Sequence, residues 1–170
     1  MSSVDLKNAG GLIDEYEKRI MTAANRGLYS AALLGVQRIL TRIIPSRSPQ
    51  PVDRGVYRSG WRANPEMDGA TIENLEPTAI LIEEGVRAGN VKIGRLMIDA
   101  LASWVVRKGI ASAPEARGVA FAIANRMKQR GIFGGAYGGQ GLGILRELVE
   151  KDIPGLMAAE VAREIKREFG

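Results

Sequence analysis

Two stretches carry residue types and spacings from which a chemical site could be assembled: the glycine-rich run GIFGGAYGGQGLG at 131–143 and the carboxylates from Glu73 to Glu84. Backbone N–H groups of a glycine-rich run can cradle phosphate, but only in a defined context. A phosphate loop needs G-x-x-x-x-G-K-[ST], with the lysine reaching the phosphates and the hydroxyl holding magnesium. No Gly-Lys-[Ser/Thr] follows here. A dinucleotide turn needs G-x-G-x-x-G between a strand and a helix of one βαβ unit. GGQGLG follows a helical stretch and lacks that spacing. The run reads instead as a surface loop, 132–143, that orders against a partner through Phe133, Gly134, Gly135 and Tyr137.

The carboxylates fare no better as an acid–base pair. Glu83 and Glu84 are adjacent, so a strand would point them to opposite faces. Glu73 and Glu76 could approach them across a sheet, yet no cleft is marked, and surface or interface carboxylates are the simpler reading. The chain has no His and no Cys. That removes disulfides, thiolate and imidazole chemistry, and the common zinc sites. A carboxylate-only metal site is what remains for an enzyme, and no spacing points to one. The sequence predicts no catalysis and no cofactor.

A binding surface is easier to find. The stretch RSGWR sets Arg58 and Trp61 close together, as a surface for single-stranded nucleic acid would. The net charge is +5 and the isoelectric point is near 9.7. Such a balance suits an anionic neighbour, either nucleic acid or an acidic protein surface. No run of five like charges makes a basic tail. Trp61 and Trp104 read as core or interface anchors.

The elements that position these residues follow from periodicity and punctuation. The 170-residue length suits one domain, 1–170, with a core of Ala, Ile, Leu and Val, since aromatics are only 5%. No stretch approaches a membrane span and the N-terminus is unlike a signal peptide, so a soluble protein made in a cytoplasm is expected. Over 11–44, Leu12, Tyr16, Ile20, Leu28, Val36 and Ile43 recur at helical spacing, and acidic residues are expected in the first turns. Gly27 and Gly35 in this helix point to close packing. Pro45 ends it, and 45–55 is a stiff Pro/Ser-rich loop. Strands are predicted at 56–64, 70–74 and 78–84, an antiparallel meander over 56–84. Helices return over 94–131, with stops at Gly109 and Gly131 and an N-cap at Ser112. Two more occupy 144–170. The predicted class is α+β: a long N-terminal helix and further helices on a small, mainly antiparallel sheet, with a C-terminal helical extension.

The stretch PVDRGVYRSGW at 51–61 links the long helix to the sheet. Pro51 fixes the approach, Asp53 caps the turn, and Gly55 supplies a positive φ. In the strand that follows, Val56, Arg58 and Gly60 would face one way and Tyr57, Ser59 and Trp61 the other.

This stretch resembles the Pro-Val-Asp-Thr-Gly-x-Tyr/Leu-Arg-x-x-Trp corner of tailed-bacteriophage neck, or tail-completion, proteins, with Arg54 in place of Thr. Three further features fall in that family's order: AILIEEG with Glu83 and Gly85, LASWVVRKG, and VAFAIANRMKQRG. The resemblance spans roughly 40–135. It implies a non-enzymatic virion protein of the head–tail interface, assembled in the host cytoplasm into a homo-oligomeric ring, sixfold in that family. Its implied partners are other neck, connector or tail-terminator proteins, with non-specific contact to packaged DNA and none to membrane. Tyr57, Arg58, Trp61, Glu83 and Gly85 become candidate intersubunit or partner contacts. The alternative is a basic nucleic-acid-binding module.

Overall fold

The computed structural model describes residues 9–48, 55–132 and 141–170. Of the described residues 68% are helical, with a long N-terminal helix, a small antiparallel sheet and C-terminal helices, an α+β protein as expected. Where length alone suggests one domain, the contacts gather into two compact units. The first combines residues 1–76 with 144–170, and the second is 77–143.

In the first unit, α1 (Ala9–Arg38) runs into a single wide π turn, Ile39–Ile43, closed by the Ile44 N–H on the Ile39 carbonyl at 2.9 Å. The wider turn lets Ile39, Ile43 and Ile44 all point inward, and all three are fully buried. Helix α1 begins earlier than its periodicity suggested. Asp14, Glu15 and Glu17 therefore lie beyond a first turn that contains no acid. Helix α6 (Ile144–Lys151) packs on the π turn, and α7 (Ile153–Phe169) lies antiparallel along α1. Small residues make that contact possible. Ala23, Ala31 and Ala32 are buried on α1, and at Gly27 the two backbones nearly touch. The expectation of close packing at Gly27 and Gly35 holds.

The sheet is a two-stranded hairpin, β1 (Trp61–Glu66) with β2 (Gly69–Asn74), turned by Met67 and Asp68 with Glu66 opposite Gly69. Both strands are edges, so Pro65 fits without breaking a ladder. A lone hairpin is marginal in water. This one packs on α1, and Asn25 donates to the Met67 carbonyl at 2.8 Å.

Two strand predictions fail. Residues 56–59 form a helical turn, α2 (Val56–Ser59), and the strand starts only at Trp61. Residues 78–84 give a helix, α3 (Ala79–Glu84), not a third strand, so the meander over 56–84 shrinks to a hairpin. A short apolar run such as AILI cannot be told from a helix by periodicity. The following Glu83 and Glu84, good helix formers and poor strand formers, decide it here.

The second unit holds α3, α4 (Arg95–Arg107) and α5 (Ala113–Arg130). Ser112 stands at the expected N-cap, where it forms a capping box with Glu115, and Gly109 and Gly131 take positive φ after their helices. Helices α4 and α5 pack through Ile98, Ala120 and Ala124, with Met97 and Leu101 alongside. Leu96 on α4 is 87% exposed. No helix among the described residues is long and apolar enough to cross a membrane.

Candidate functional site

The corner begins at Gly55, whose φ of 75° is the positive value predicted for it. Pro51 and Asp53 lie outside the described residues. Because 56–59 is helical, Tyr57 and Trp61 do not share a strand face. They stand four residues apart across a helical turn and meet edge to face, with ring centroids 5.7 Å apart. Both are buried. Asn74 donates from its side chain to the Tyr57 carbonyl at 2.8 Å, and the Leu75 N–H donates to the Gly60 carbonyl at 3.0 Å. Arg58 is exposed and its guanidinium donates to the Leu40 carbonyl at 3.2 Å. The corner thus clasps the end of the long helix to the hairpin. Its aromatic pair serves packing within the chain, and of the three only Arg58 presents itself outward.

Glu83 and Glu84 occupy the last turn of α3, and Gly85 follows with φ of 71°. The strand that would have set Glu73 and Glu76 across from them does not exist. Glu73 instead accepts from the Asn64 side chain at 2.6 Å on the hairpin. Around Glu83 the backbone matters more than the carboxylate. Its carbonyl accepts from the Gly143 N–H at 3.2 Å, and a Cβ on Gly141 would collide with that same carbonyl. Further on, Val86 and Ile132 exchange backbone hydrogen bonds at 3.4 and 2.8 Å. Phe133, Gly134, Gly135 and Tyr137 lie outside the described residues. No group of three or more carboxylates among the described residues is placed to hold a metal ion.

Sequence reasoning missed a seam of ion pairs between α1 and the C-terminal helices. Glu168 accepts from Arg19 at 3.0 Å and from Arg26 at 2.7 Å, and Arg26 also reaches Glu164 at 3.3 Å. Hydrogen bonding from Arg26, then from Arg19, holds the Glu168 carboxyl below the usual carboxylate range, and the same bond raises Arg26. The Arg19 guanidinium lies over the Phe169 ring, 4.9 Å from its centroid, and Phe169 stacks on Tyr16. At the other end Arg38 and Arg42 both bind the buried Asp152, and Arg47 meets Glu147 at 2.5 Å. The signal was available in the spacing: Arg19 and Arg26 are two turns apart, and Glu160, Glu164 and Glu168 repeat every turn.

Among the described residues three features of the surface stand out. The apolar stripe of α1 outruns its partner: α7 ends against Tyr16, leaving Leu12 and Ile13 exposed at 55% and 64%, with Ile20 partly so. On the first unit, a groove of about 410 Å³ is lined by Leu28, Ala31, Ile72, Val149, Ile153 and Met157, with Asp68 at its rim. The third is the basic second unit. Residues 77–143 contain nine Lys or Arg against four Asp or Glu, while the rest of the chain balances at fifteen of each. The whole net charge of +5 therefore belongs to the second unit. These surfaces can bind. Among their described residues none gathers a nucleophile, a base and an orienting partner.

Comparison with protein-family models, curated proteins and solved structures finds no match for this chain.

Proposed function

We propose that the chain is a non-enzymatic ring subunit of a tailed-phage neck, joining tail to head connector around the DNA path. The observation that carries this reading is the corner at Gly55–Trp61. The residues behind the resemblance, Gly55, Tyr57, Arg58 and Trp61, all act as architecture: a positive φ, a buried aromatic pair and a tie to the long helix. A motif built for architecture belongs to an assembly part more readily than to an enzyme. Exposed apolar side chains at the start of α1 and on α4 and α5 support it further, because they offer contact area that the chain itself leaves bare. The proposed location is the virion neck, reached from the host cytoplasm.

Electron microscopy of the purified protein, alone and with co-expressed virion partners, tests the reading. Closed rings, free or stacked on a tail end, are expected. A protein that joins neither a ring nor a virion overturns it.

The concentration of the net charge in residues 77–143 favours one second reading, a basic module for nucleic acid. It predicts that a monomer binds DNA with an affinity falling steeply as salt rises.

A further inference from the structure

Two of the uncovered surfaces are apolar and opposite in charge. The first turns of α1 expose Leu12, Ile13, Tyr16 and Ile20 as one ridge. Glu15 stands three residues after Leu12, and Glu17 four after Ile13 and three before Ile20, so acid borders the ridge on both sides, while the one cation beside it, Arg19 over the Tyr16 ring, is neutralised by Glu168. The ridge and its two bordering acids are exposed.

The second surface lies on α4 and α5. Arg95 and Arg117 both reach the single Asp99 carboxylate, at 3.6 and 3.0 Å. That shared carboxylate places one flank of each helix on a common face. Helical spacing adds Val106 to it from α4, and Phe121 and Lys128 from α5. Phe121 is 53% exposed and Val106 43%. One acid against three cations leaves the face positive, within a unit that carries the whole net charge.

We infer that the acidic ridge of α1 in one copy docks on the basic α4–α5 face of a second copy. Complementarity identifies the occupant as a second copy. Each chain bears one ridge that is apolar between acids and one face that is apolar between cations. Like surfaces repel, so a two-fold contact of ridge with ridge is disfavoured. Ridge on face joins unlike surfaces: reciprocated between two copies it closes a dimer, and passed from copy to copy it is a head-to-tail contact that closes into a ring or extends into a filament, as the ring reading requires. The inference rests on the ring reading and names its subunit contact.

Charge exchange tests it in sedimentation velocity at low salt. One variant carries Glu15→Lys with Glu17→Lys, the other Arg95→Glu with Lys128→Glu. These side chains are exposed, and thermal unfolding by circular dichroism confirms that each variant keeps its fold. Wild-type protein self-associates, less so as salt rises. Each variant alone carries two surfaces of one sign, and its association weakens by on the order of a hundredfold. Mixing the two variants restores assembly, because every ridge again meets a face of opposite sign. Phe121→Ser weakens association without altering its salt dependence.

Wild-type protein that stays monomeric at all concentrations overturns the inference. So does assembly that both variants retain; rings seen in that case leave the ring reading standing. Open filaments with the expected charge exchange keep the contact and remove the ring. Arg95→Glu with Lys128→Glu that abolishes duplex DNA binding while self-association is unchanged assigns the face to nucleic acid, and the contact falls.

Discussion

Gly27 of α1 and Val161 of α7 stand so close that a Cβ added to the glycine would lie 2.6 Å from the Val161 Cα and 2.8 Å from its nitrogen. Backbone blocks that space, and no rotamer can clear it. Gly35, on the same helix, faces only methyl ends: Ile72 at 2.9 Å, Ile153 at 3.3 Å and Leu148 at 3.4 Å. The two glycines therefore answer differently to one methyl group.

Alanine in a helix interior gains about 1 kcal/mol over glycine. Overpacking against a fixed neighbour costs about 1–3 kcal/mol. At Gly27 the second effect wins, since α1 and α7 must move apart and the ion-pair seam with them. Gly27→Ala is expected to destabilise by about 1–2 kcal/mol in urea unfolding. At Gly35 the methyl ends yield and the propensity gain offsets the cost, so Gly35→Ala is expected near neutral. Equal losses at both sites would show that α1 and α7 are not in backbone contact.

Acid should loosen the far end of the same helix pair. Hydrogen bonds from Arg26 and Arg19 hold the Glu168 carboxyl below its unfolded value. A carboxylate lowered by folding contributes stability that is fully present above the unfolded pKa, about 4.3 for Glu. That contribution is lost as pH falls through the lower folded value. Melting temperature followed from neutral pH downward should fall more steeply below about pH 4 in wild-type protein than in Glu168→Gln. Parallel curves would remove the seam as a source of acid sensitivity. High salt should shrink the difference, because Arg19 and Arg26 are partly exposed.

How much of this was legible depended on whether a residue speaks to its chain neighbours or to distant ones. Ser112, Glu115 and Gly131 bounded α5 because a capping box and a positive-φ stop are local grammar. Gly55 was legible for the same reason. AILIEE was not, since a strand needs a partner that the sequence cannot display, and 70–74 had only one neighbour to pair with. Tyr57 and Trp61 fit either a two-residue or a four-residue period, and the turn at Gly55 chose the latter. The stripe through Leu12, Tyr16 and Ile20 was correct as a pattern. Its burial depended on where α7 ends, a tertiary fact. The ion-pair seam failed for a similar reason: each half was periodic, but their antiparallel match appears only once α1 and α7 meet.

Asp152 anchors the opposite end of that seam. Its side chain is only 6% exposed, and it accepts from Arg38 at 3.0 Å and from Arg42. Asp152→Asn keeps the size and removes the charge that both guanidiniums address. Hydrogen bonds to charged groups contribute about 1.5–3 kcal/mol. The arginines are half exposed and recover water, so the expected loss is near the low end, about 1.5–2 kcal/mol. A double-mutant cycle with Arg42→Met should return a coupling of the same order, and a coupling near zero would mean that Asp152 acts through helix packing alone.

The corner offers the sharpest contrast between two aromatic residues in contact. Tyr57 packs its ring on Trp61 and lends its carbonyl to Asn74, so truncation opens a cavity at the point where the hairpin joins the long helix. Tyr57→Ala is expected to cost about 3–5 kcal/mol, the range for large aromatic truncations in a core. Trp61 is buried too, yet its indole N–H meets no hydrogen-bond partner among the described residues. Trp61→Phe leaves a cavity the size of the lost ring but also deletes an unpaired buried donor, which on its own costs about 1–3 kcal/mol. These effects oppose, and the net loss should stay below about 1.5 kcal/mol. Urea unfolding gives the order directly, and near-ultraviolet circular dichroism reports whether the remaining ring stays fixed. If Trp61→Phe proves as damaging as Tyr57→Ala, the indole N–H has a partner in solution, and the corner is held by that bond rather than by ring packing.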